Sequence, residues 1–167
     1  VAKTDAAHRD LAEQFARHSV ERAYHAIVAG QPRPPSGKIM RAIARGPDRV
    51  RMTTVERGGK PAVTYYRTMV AYGARASLVE CRLATGRTHQ IRVHMAFIGH
   101  PIVGDPVYGK GGTRLAQRNI SAAPGFSRQA LHACLIGFRH PDTFATLRFQ
   151  SAMPTDINIL IRTLECL

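Results

Sequence analysis

Strand-like segments joined by short links constrain the fold of this chain more than any other feature of its sequence. Alternating or β-branched runs predict strands at residues 23–29, 39–44, 49–55, 61–71, 76–83, 130–138 and 144–149. Three prolines in four positions keep the stretch 31–37 out of any sheet. Because most links between strands are only a few residues long, neighbouring strands are expected to run antiparallel.

Three segments with apolar residues at helical spacing accompany these strands. The first is capped by Thr4 or Asp5 and runs to about His18, the second starts near His89 and ends at Gly99, and the third is capped by Thr155. The sequence therefore predicts one α+β domain over residues 1–167, a mostly antiparallel (mixed) sheet flanked by helices. It contains no internal repeat.

The charge of the chain points to a polyanionic partner. Lys and Arg total 24 against 11 Asp and Glu, a formal net charge of +13, which is the electrostatic signature of a nucleic-acid-binding domain. No apolar run approaches the ~20 residues that span a bilayer. No amphipathic helix shows a Lys/Arg face opposite Trp, Phe or Leu, so a membrane partner is not expected. Three widely spaced cysteines without a Cys-x-x-Cys pair argue against a disulfide framework and favour a reducing cytoplasm. The loop arginines form a candidate phosphate-tracking surface: Arg33, Arg41, Arg45, Arg49, Arg51, Arg114 and Arg118.

The run at residues 86–95 (GRTHQIRVHM) concentrates the polar chemistry of the chain. It holds two arginines, two histidines and a glutamine, which suit charge-assisted binding of phosphate or carboxylate groups. His89 and His94 are five residues apart and do not share a helical face, so a metal pair is not expected. Asp105, between Gly104 and Pro106, has the context of a turn residue.

Five motifs in register give the chain a family resemblance. They are residues 86–95 with 99–109 (GHPIVGDPVYG), 22–24 (RAY), 59–64 (GKPAVT), 128–133 (RQALHA) and 152–154 (AMP). Together they resemble the RluA/RluD-type RNA pseudouridine synthases over essentially the whole chain. The resemblance implies an isomerase that flips a uridine out of structured RNA, breaks its glycosidic bond and rejoins the base through carbon, without cofactor or metal.

The resemblance also implies roles for individual residues. Tyr24 matches the tyrosine that packs on the flipped base, and Arg92 matches the arginine that ion-pairs with an essential aspartate. Ile91 and Lys60 are expected at the substrate pocket. Arg87, His89 and Gln90 are expected to hold the loop and the start of the helix by hydrogen bonds to the backbone. Without the resemblance, Tyr24 reads as a core residue and Arg92 as a surface residue.

One element of the family pattern is not in this sequence. The resemblance places the essential aspartate in a His-Arg-Leu-Asp motif just before the segment that begins at Val1, and no such motif occurs in residues 1–167. A small RNA-binding domain that family members can carry lies further upstream and is likewise not in this sequence. The chain is therefore expected to be a partial catalytic domain, inactive by itself.

Three functions remain open on the sequence. The leading hypothesis is a monomeric synthase acting on large-subunit ribosomal RNA, with transfer RNA as a possible substrate because both branches share most motifs. The alternative is a non-catalytic RNA-binding or ribosome-assembly module on the same fold. A metal-dependent nuclease built on Asp105, His89 and His94 is the third.

Overall fold

The computed structural model describes residues 1–47, 51–109, 126 and 128–166. Within these ranges it contains three helices and eight strands. In chain order they are α1 Asp5–Ala16, β1 Glu21–Ala29, β2 Ser36–Met40, β3 Ala42–Arg45, β4 Met52–Val55, β5 Val63–Tyr72, β6 Ala76–Leu83, α2 Gln90–Phe97, β7 Leu131–Arg139, β8 Thr146–Gln150 and α3 Thr155–Glu165.

Six strands form the main sheet in the order β2-β5-β6-β1-β7-β8, while β3 and β4 form a separate hairpin. Every strand pair in the described ranges is antiparallel, which confirms the α+β class expected from the short links. β1 lies inside the sheet between β6 and β7, and the four residues 26–29 at its end are all buried. No helix in the described part of the chain has the length and apolar character to cross a membrane.

The single strand predicted over residues 39–44 is wrong, because the chain leaves the main sheet at Arg41. β2 stays on β5, whereas β3 pairs with β4. The backbone of Arg41 is held at the break: its N–H donates to Ala62 and its carbonyl accepts from the ring of His94, 3.0 Å away. Of the strand predicted over residues 49–55, the structure describes β4, and residues 48–50 and 110–125, with Arg49, Arg114 and Arg118, lie outside the described residues.

The helix ends follow local chemistry, with one correction. Thr4 caps α1 as predicted, its hydroxyl accepting from the N–H of Ala7, and the helix stops two residues before His18, whose φ is +58°. The prediction that Thr155 caps α3 is wrong, because Pro154 occupies the cap position and Thr155 is the first helical residue. The apolar side of α3 enters the core through Ile157, Leu160 and Leu164.

The segment after α2 runs beside β1 and fixes the position of Asp105. Ile102 bridges to Val28, the N–H of Val103 donates to Ile27, and Val103 in turn accepts from Ala130. Gly104 follows with φ +72°, and a Cβ there would lie 2.2 Å from the carbonyl oxygen of Arg128. The turn that presents Asp105 therefore needs glycine for both its conformation and its space.

Candidate active site

Gln90, the first residue of α2, anchors the start of the site. Its side chain is buried, and its Oε1 accepts from the N–H of Arg87 at 3.0 Å and the hydroxyl of Thr85 at 2.8 Å. Its Nε2 donates to the carbonyl of Val63 and the hydroxyl of Thr64, each at 3.0 Å. All hydrogen-bonding positions of the amide are thus used, and the loop before α2 is fixed to the start of β5.

Arg87 and His89 hold the same loop in different ways. Arg87 donates from Nε to the carbonyl of Pro61 at 3.1 Å. His89 has φ +55°, a left-handed conformation that non-glycine residues adopt infrequently. Its Nδ1 lies 3.0 Å from the hydroxyl of Tyr108, and that hydroxyl accepts from the N–H of Met52 at 2.9 Å. The ring of His89 therefore reaches a side chain rather than the backbone, and Tyr108 links it to β4.

Arg92 and Asp105 form a buried, two-point ion pair at the centre of the site. Arg92 donates from Nε to Oδ2 at 2.7 Å and from Nη2 to Oδ1 at 2.8 Å. The side chains are 11% and 0% exposed, respectively. Tyr108 covers the pair, with its ring centroid 4.8 Å from the guanidinium carbon of Arg92. The parallel arrangement is the strongest geometry available to an arginine and a carboxylate.

Asp105 uses both carboxylate oxygens to hold this arrangement. In addition to Arg92, its Oδ1 accepts from the N–H groups of Val107 at 2.9 Å and Tyr108 at 3.0 Å. Burial raises the pKa of Asp105, but the hydrogen bonds from Arg92 and from these N–H groups outweigh it, and the pKa lies below its ordinary value. A carboxylate with this many donors fixes the turn and the arginine and is poorly placed to attack a substrate.

The guanidinium of Arg92 keeps one nitrogen outside the pair. Nε and Nη2 are taken by Asp105, and within the described ranges Nη1 has no hydrogen-bond partner. The hydrogen bond to Asp105 raises the pKa of Arg92, so the group stays cationic. The pair thus orients Arg92 while leaving donors for a second anionic group. The sequence predicted Arg92 as a site residue, but it predicted Asp105 as a turn residue or, in the nuclease hypothesis, as part of a metal site, and not as the partner of Arg92.

Tyr24 lies inside the sheet on β1, half-buried, opposite Cys81 on β6 and Ala133 on β7. It packs against the core cluster that contains Ile91 of α2. Ala133 is exposed, so the surface beside Tyr24 is open on the β7 side. Burial raises the pKa of the Cys81 thiol to about 12, which makes this neighbour a neutral packing group rather than a nucleophile.

The two residues expected at the substrate pocket differ in exposure. Ile91 is 4% exposed and belongs to the core, so it supports the site from within. Lys60 is exposed and lies in a cleft with Arg87 and Thr88. The structure therefore brings together Arg92, Asp105, Tyr108 and His89. It places Lys60 and Arg87 together in the cleft.

The two histidines of the run do not form a metal site. His94 is fully buried, its Nδ1 lies 2.9 Å from the hydroxyl of Thr64, and its Nε2 lies 3.0 Å from the carbonyl of Arg41. Both ring nitrogens are thus occupied. Among the residues that the structure describes, no three His, Cys, Asp or Glu side chains are grouped so that they could hold a metal ion.

Comparison with known proteins is consistent with this geometry. The family model described as RNA pseudouridylate synthase matches residues 1–97, which include Tyr24 and Arg92. A protein of Zymomonas mobilis named ribosomal large subunit pseudouridine synthase D is 48% identical over 166 residues, 98% of this chain and 51% of that protein. A protein of the same name from Neisseria meningitidis is 43% identical over 172 residues, 99% of this chain and 44% of that protein. The chain thus spans about half the length of these relatives.

Solved structures share the fold. The human protein RNA Pseudouridylate Synthase Domain Containing 1 superposes with a TM-score of 0.72 at 24% identity, over 100% of this chain and 74% of that chain. The human protein RNA Pseudouridylate Synthase Domain Containing 4 gives a TM-score of 0.73 at 23% identity, over 96% of this chain and 68% of that chain. At these identities the likeness establishes the fold alone.

Proposed function

Because the chain belongs to the RNA pseudouridylate synthase family, we propose that its protein converts specific uridines of structured RNA to pseudouridine. Large-subunit ribosomal RNA is the favoured substrate and transfer RNA the second, since the relatives carry the large-subunit name. The observation that carries the proposal is the buried Arg92, held by Asp105 on one edge and keeping Nη1 for a second anion. We further propose that the protein works as a monomer in the cytoplasm.

The proposed reaction is an isomerisation without net oxidation or reduction. The protein therefore has to position the uridine and stabilise charge. The bond from uracil N1 to the ribose breaks, a bond from C5 to the same sugar carbon forms, the proton on C5 leaves and N1 gains a proton. The target base must leave its stack to be reached. The ring of Tyr24 offers a face on which an unpaired base can stack.

The reaction also calls for a carboxylate as nucleophile or base, and we propose that Nη1 of Arg92 holds it ionised and oriented. Asp105 does not suit that part, because its oxygens accept from Arg92, Val107 and Tyr108. In our proposal the essential aspartate belongs to the His-Arg-Leu-Asp motif of the family, which residues 1–167 do not contain.

Tritium release from RNA carrying 5-tritiated uridine tests the proposal, because the C5 proton is lost as the new bond forms. The full-length gene product, its Arg92→Ala variant and the 167-residue chain are compared on large-subunit ribosomal RNA and on transfer RNA. We expect release with the full-length product on ribosomal RNA, near loss in Arg92→Ala and none with the 167-residue chain. Absence of release from the full-length product, with salt-sensitive RNA binding intact, would instead establish the non-catalytic RNA-binding module.

A further inference from the structure

His89 differs from its neighbour at the start of α2 in how its polar atoms are used. Gln90 is buried and has every hydrogen-bonding position filled. His89 is exposed, and its Nδ1 lies 3.0 Å from the hydroxyl of Tyr108. Within the described ranges its Nε2 has no hydrogen-bond partner. One ring nitrogen is therefore tied to the protein, and the other is available to a further group.

The hydroxyl of Tyr108 determines which nitrogen of His89 carries the proton. That hydroxyl accepts from the N–H of Met52 at 2.9 Å, so its own proton is directed to Nδ1 of His89. Partial burial and the positive charge of Arg92 lower the pKa of His89, and the opposing effect of Asp105 is smaller. The ring is therefore neutral near pH 7, and its proton lies on Nε2.

Tyr108 also brings this imidazole close to the guanidinium of Arg92. The ring centroid of Tyr108 is 4.8 Å from the guanidinium carbon and 5.7 Å from the ring centroid of His89. His89 and Arg92 are three residues apart, a spacing at which side chains on a helix are neighbours. The Nε2–H of His89 and the Nη1 of Arg92 are thus two donors beside one aromatic ring, and neither has a partner in the described part of the chain.

The backbone of His89 adopts a conformation that other residues reach at lower cost. Its φ is +55°, in the left-handed region that glycine and asparagine occupy most readily. Strained backbone of this kind persists where the surrounding structure holds it, and it is concentrated at functional sites. Imidazole offers what asparagine lacks, a nitrogen on each side of a flat ring. One side chain can therefore bind Tyr108 and a second group at the same time.

We propose that His89 is a second positioning residue of the site, whose Nε2–H donates to the essential carboxylate that Nη1 of Arg92 also holds. The inference rests on the proposed function, which places that carboxylate at Arg92. A single donor lets a carboxylate rotate, whereas donors at two points fix the direction of its oxygens. Because the imidazole is neutral, it adds a hydrogen bond without a second positive charge, which would repel Arg92 and make the carboxylate a weaker base.

Two substitutions at residue 89 separate the roles of the two nitrogens. His89→Asn puts Oδ1 at the position of Nδ1, so it keeps the bond from Tyr108, suits the left-handed backbone and loses the donor at Nε2. His89→Gln reaches further and restores an amide N–H near the position of Nε2, but it strains this backbone. We expect His89→Asn to have the higher melting temperature and His89→Gln the higher kcat, a reversal that a purely structural role would not produce.

Tritium release from 5-tritiated uridine in large-subunit ribosomal RNA gives kcat and KM for each variant of the full-length gene product. We expect His89→Asn to lower kcat by roughly ten- to a hundredfold, the loss of one hydrogen bond to a charged group, with KM unchanged. His18→Asn is the matched control, because His18 is an exposed histidine with φ +58° just after α1. It should keep the parental kcat, and a folded His89→Asn protein with the same kcat would overturn the proposal.

Two further outcomes would also reject the role of His89. A raised KM with parental kcat in His89→Asn would mean that Nε2 contacts the RNA in place of the carboxylate. A loss of kcat in folded His89→Gln as large as in His89→Asn would mean that the site does not depend on a donor at Nε2. Circular dichroism melting curves establish that each variant is folded at the temperature of the assay.

Nitrogen NMR of the imidazole separates this inference from the proposed function. In the full-length protein with nitrogen-15 histidine, the signals of His89 are those that His89→Asn lacks, and we expect a protonated Nε2 and an unprotonated Nδ1 at pH 7. A protonated Nδ1 would overturn the inference whether or not tritium is released. Tritium release with parental kcat in His89→Asn would reject the inference and keep the synthase, whereas no release from the parent protein would reject the proposed function and, with it, the role of His89.

Discussion

His94 lies 3.0 Å through its Nε2 from the backbone carbonyl of Arg41, 53 residues earlier in the chain. Since a carbonyl can only accept, Nε2 carries the proton, and Nδ1 accepts from the hydroxyl of Thr64. That hydroxyl in turn accepts from Gln90. A continuous chain of buried hydrogen bonds thus joins α2 and β5 to the point where β2 gives way to β3.

The neutral state of His94 predicts a pH-dependent stability. Burial lowers the pKa of His94 below its ordinary value of 6.5, so between the folded pKa and 6.5 the unfolded chain binds more protons than the folded chain. The free energy of unfolding is therefore complete above about pH 6.5 and falls as the pH drops below it. His25 and His89 also have lowered pKa values and contribute in the same window.

Urea unfolding at several pH values measures this effect, and His94→Gln isolates the share of one ring. The variant should lose part of the slope that the parent protein shows below pH 6.5. His8→Gln, which replaces an exposed histidine of α1, serves as a control, because it leaves the hydrogen bonds of His94 in place. Equal slopes in the parent and in His94→Gln would show that His94 is not the group that titrates.

Replacement of the buried Gln90 by an apolar residue is expected to cause a large loss of stability. Gln90→Leu preserves the approximate volume but removes four hydrogen bonds at a site that is 2% exposed. Unsatisfied buried groups cost about 1–3 kcal/mol each, and we expect a loss of about 3 kcal/mol because the loop can relax.

Chemical denaturation checks this value against Gln31→Leu. Gln31 makes an exposed hydrogen bond to the carbonyl of Gly73, and its replacement should change the free energy of unfolding by about 0.5 kcal/mol or less. A similar change in both variants would mean that the amide of Gln90 does not hold the loop.

The sequence predicted an element correctly where the residues that determine it lie within the same segment, and failed where they lie elsewhere in the chain. β6 was predicted at its observed residues, because alternating side chains and a turn at Gly73, with φ +55°, are written in the segment itself. The end of α2 was likewise predictable, because a glycine at position 99 is a typical helix end. The structure confirms it, with φ +83° at Gly99. The break at Arg41 was not predictable, because the bond that holds it comes from His94 on a distant helix.

The site shows the same limit. Residue type and motif identified Arg92, but its partner depended on a turn that folds back to α2 from 13 residues later. A signal was present in the sequence: an aspartate followed by proline in a turn beside an apolar segment becomes buried and then requires a cation. Ile91 was expected to help wall the pocket, and the structure places it in the core cluster against which Tyr24 packs. Arg22 was noticed only as part of a motif, because burial of its donors is a property of the folded chain.

From the Arg92–Asp105 pair we predict that burial, rather than geometry, determines how much an ion pair contributes to the free energy of unfolding. Asp105→Asn leaves Arg92 buried without its counter-charge, and breaking a buried pair in this way costs about 3–5 kcal/mol. The chain contains a matched control in Arg128 and Asp156, which bond through the same two nitrogens at 2.7 and 2.8 Å but are 41% and 45% exposed. Asp156→Asn should therefore cost much less than Asp105→Asn, because solvent screens the pair.

Urea unfolding of both variants and of the parent protein at pH 7 provides the comparison. The pKa of Asp105 is lowered from its ordinary value of 3.8, so its stabilising contribution is complete above that pH and is lost as the pH falls through the folded pKa. The difference between the two variants should shrink in acid accordingly. Equal losses at pH 7 would contradict the view that the burial of Asp105 determines its effect.

Tyr24 predicts an effect on turnover that is separable from stability. Tyr24→Phe retains the ring and should retain stacking on an unpaired base, whereas Tyr24→Ala removes the ring and about 1–3 kcal/mol of base stacking. In the tritium assay with the full-length gene product we expect Tyr24→Ala to lose turnover by about tenfold or more. Tyr24→Phe should show the smaller change, confined to steps in which the hydroxyl contacts the base.

Tyr65→Ala is the matched control, because Tyr65 is a sheet tyrosine that is 45% exposed on β5. Circular dichroism melting curves of all three variants separate loss of fold from loss of turnover. A stable Tyr24→Ala protein with parental turnover would show that the target base does not stack on this ring of β1.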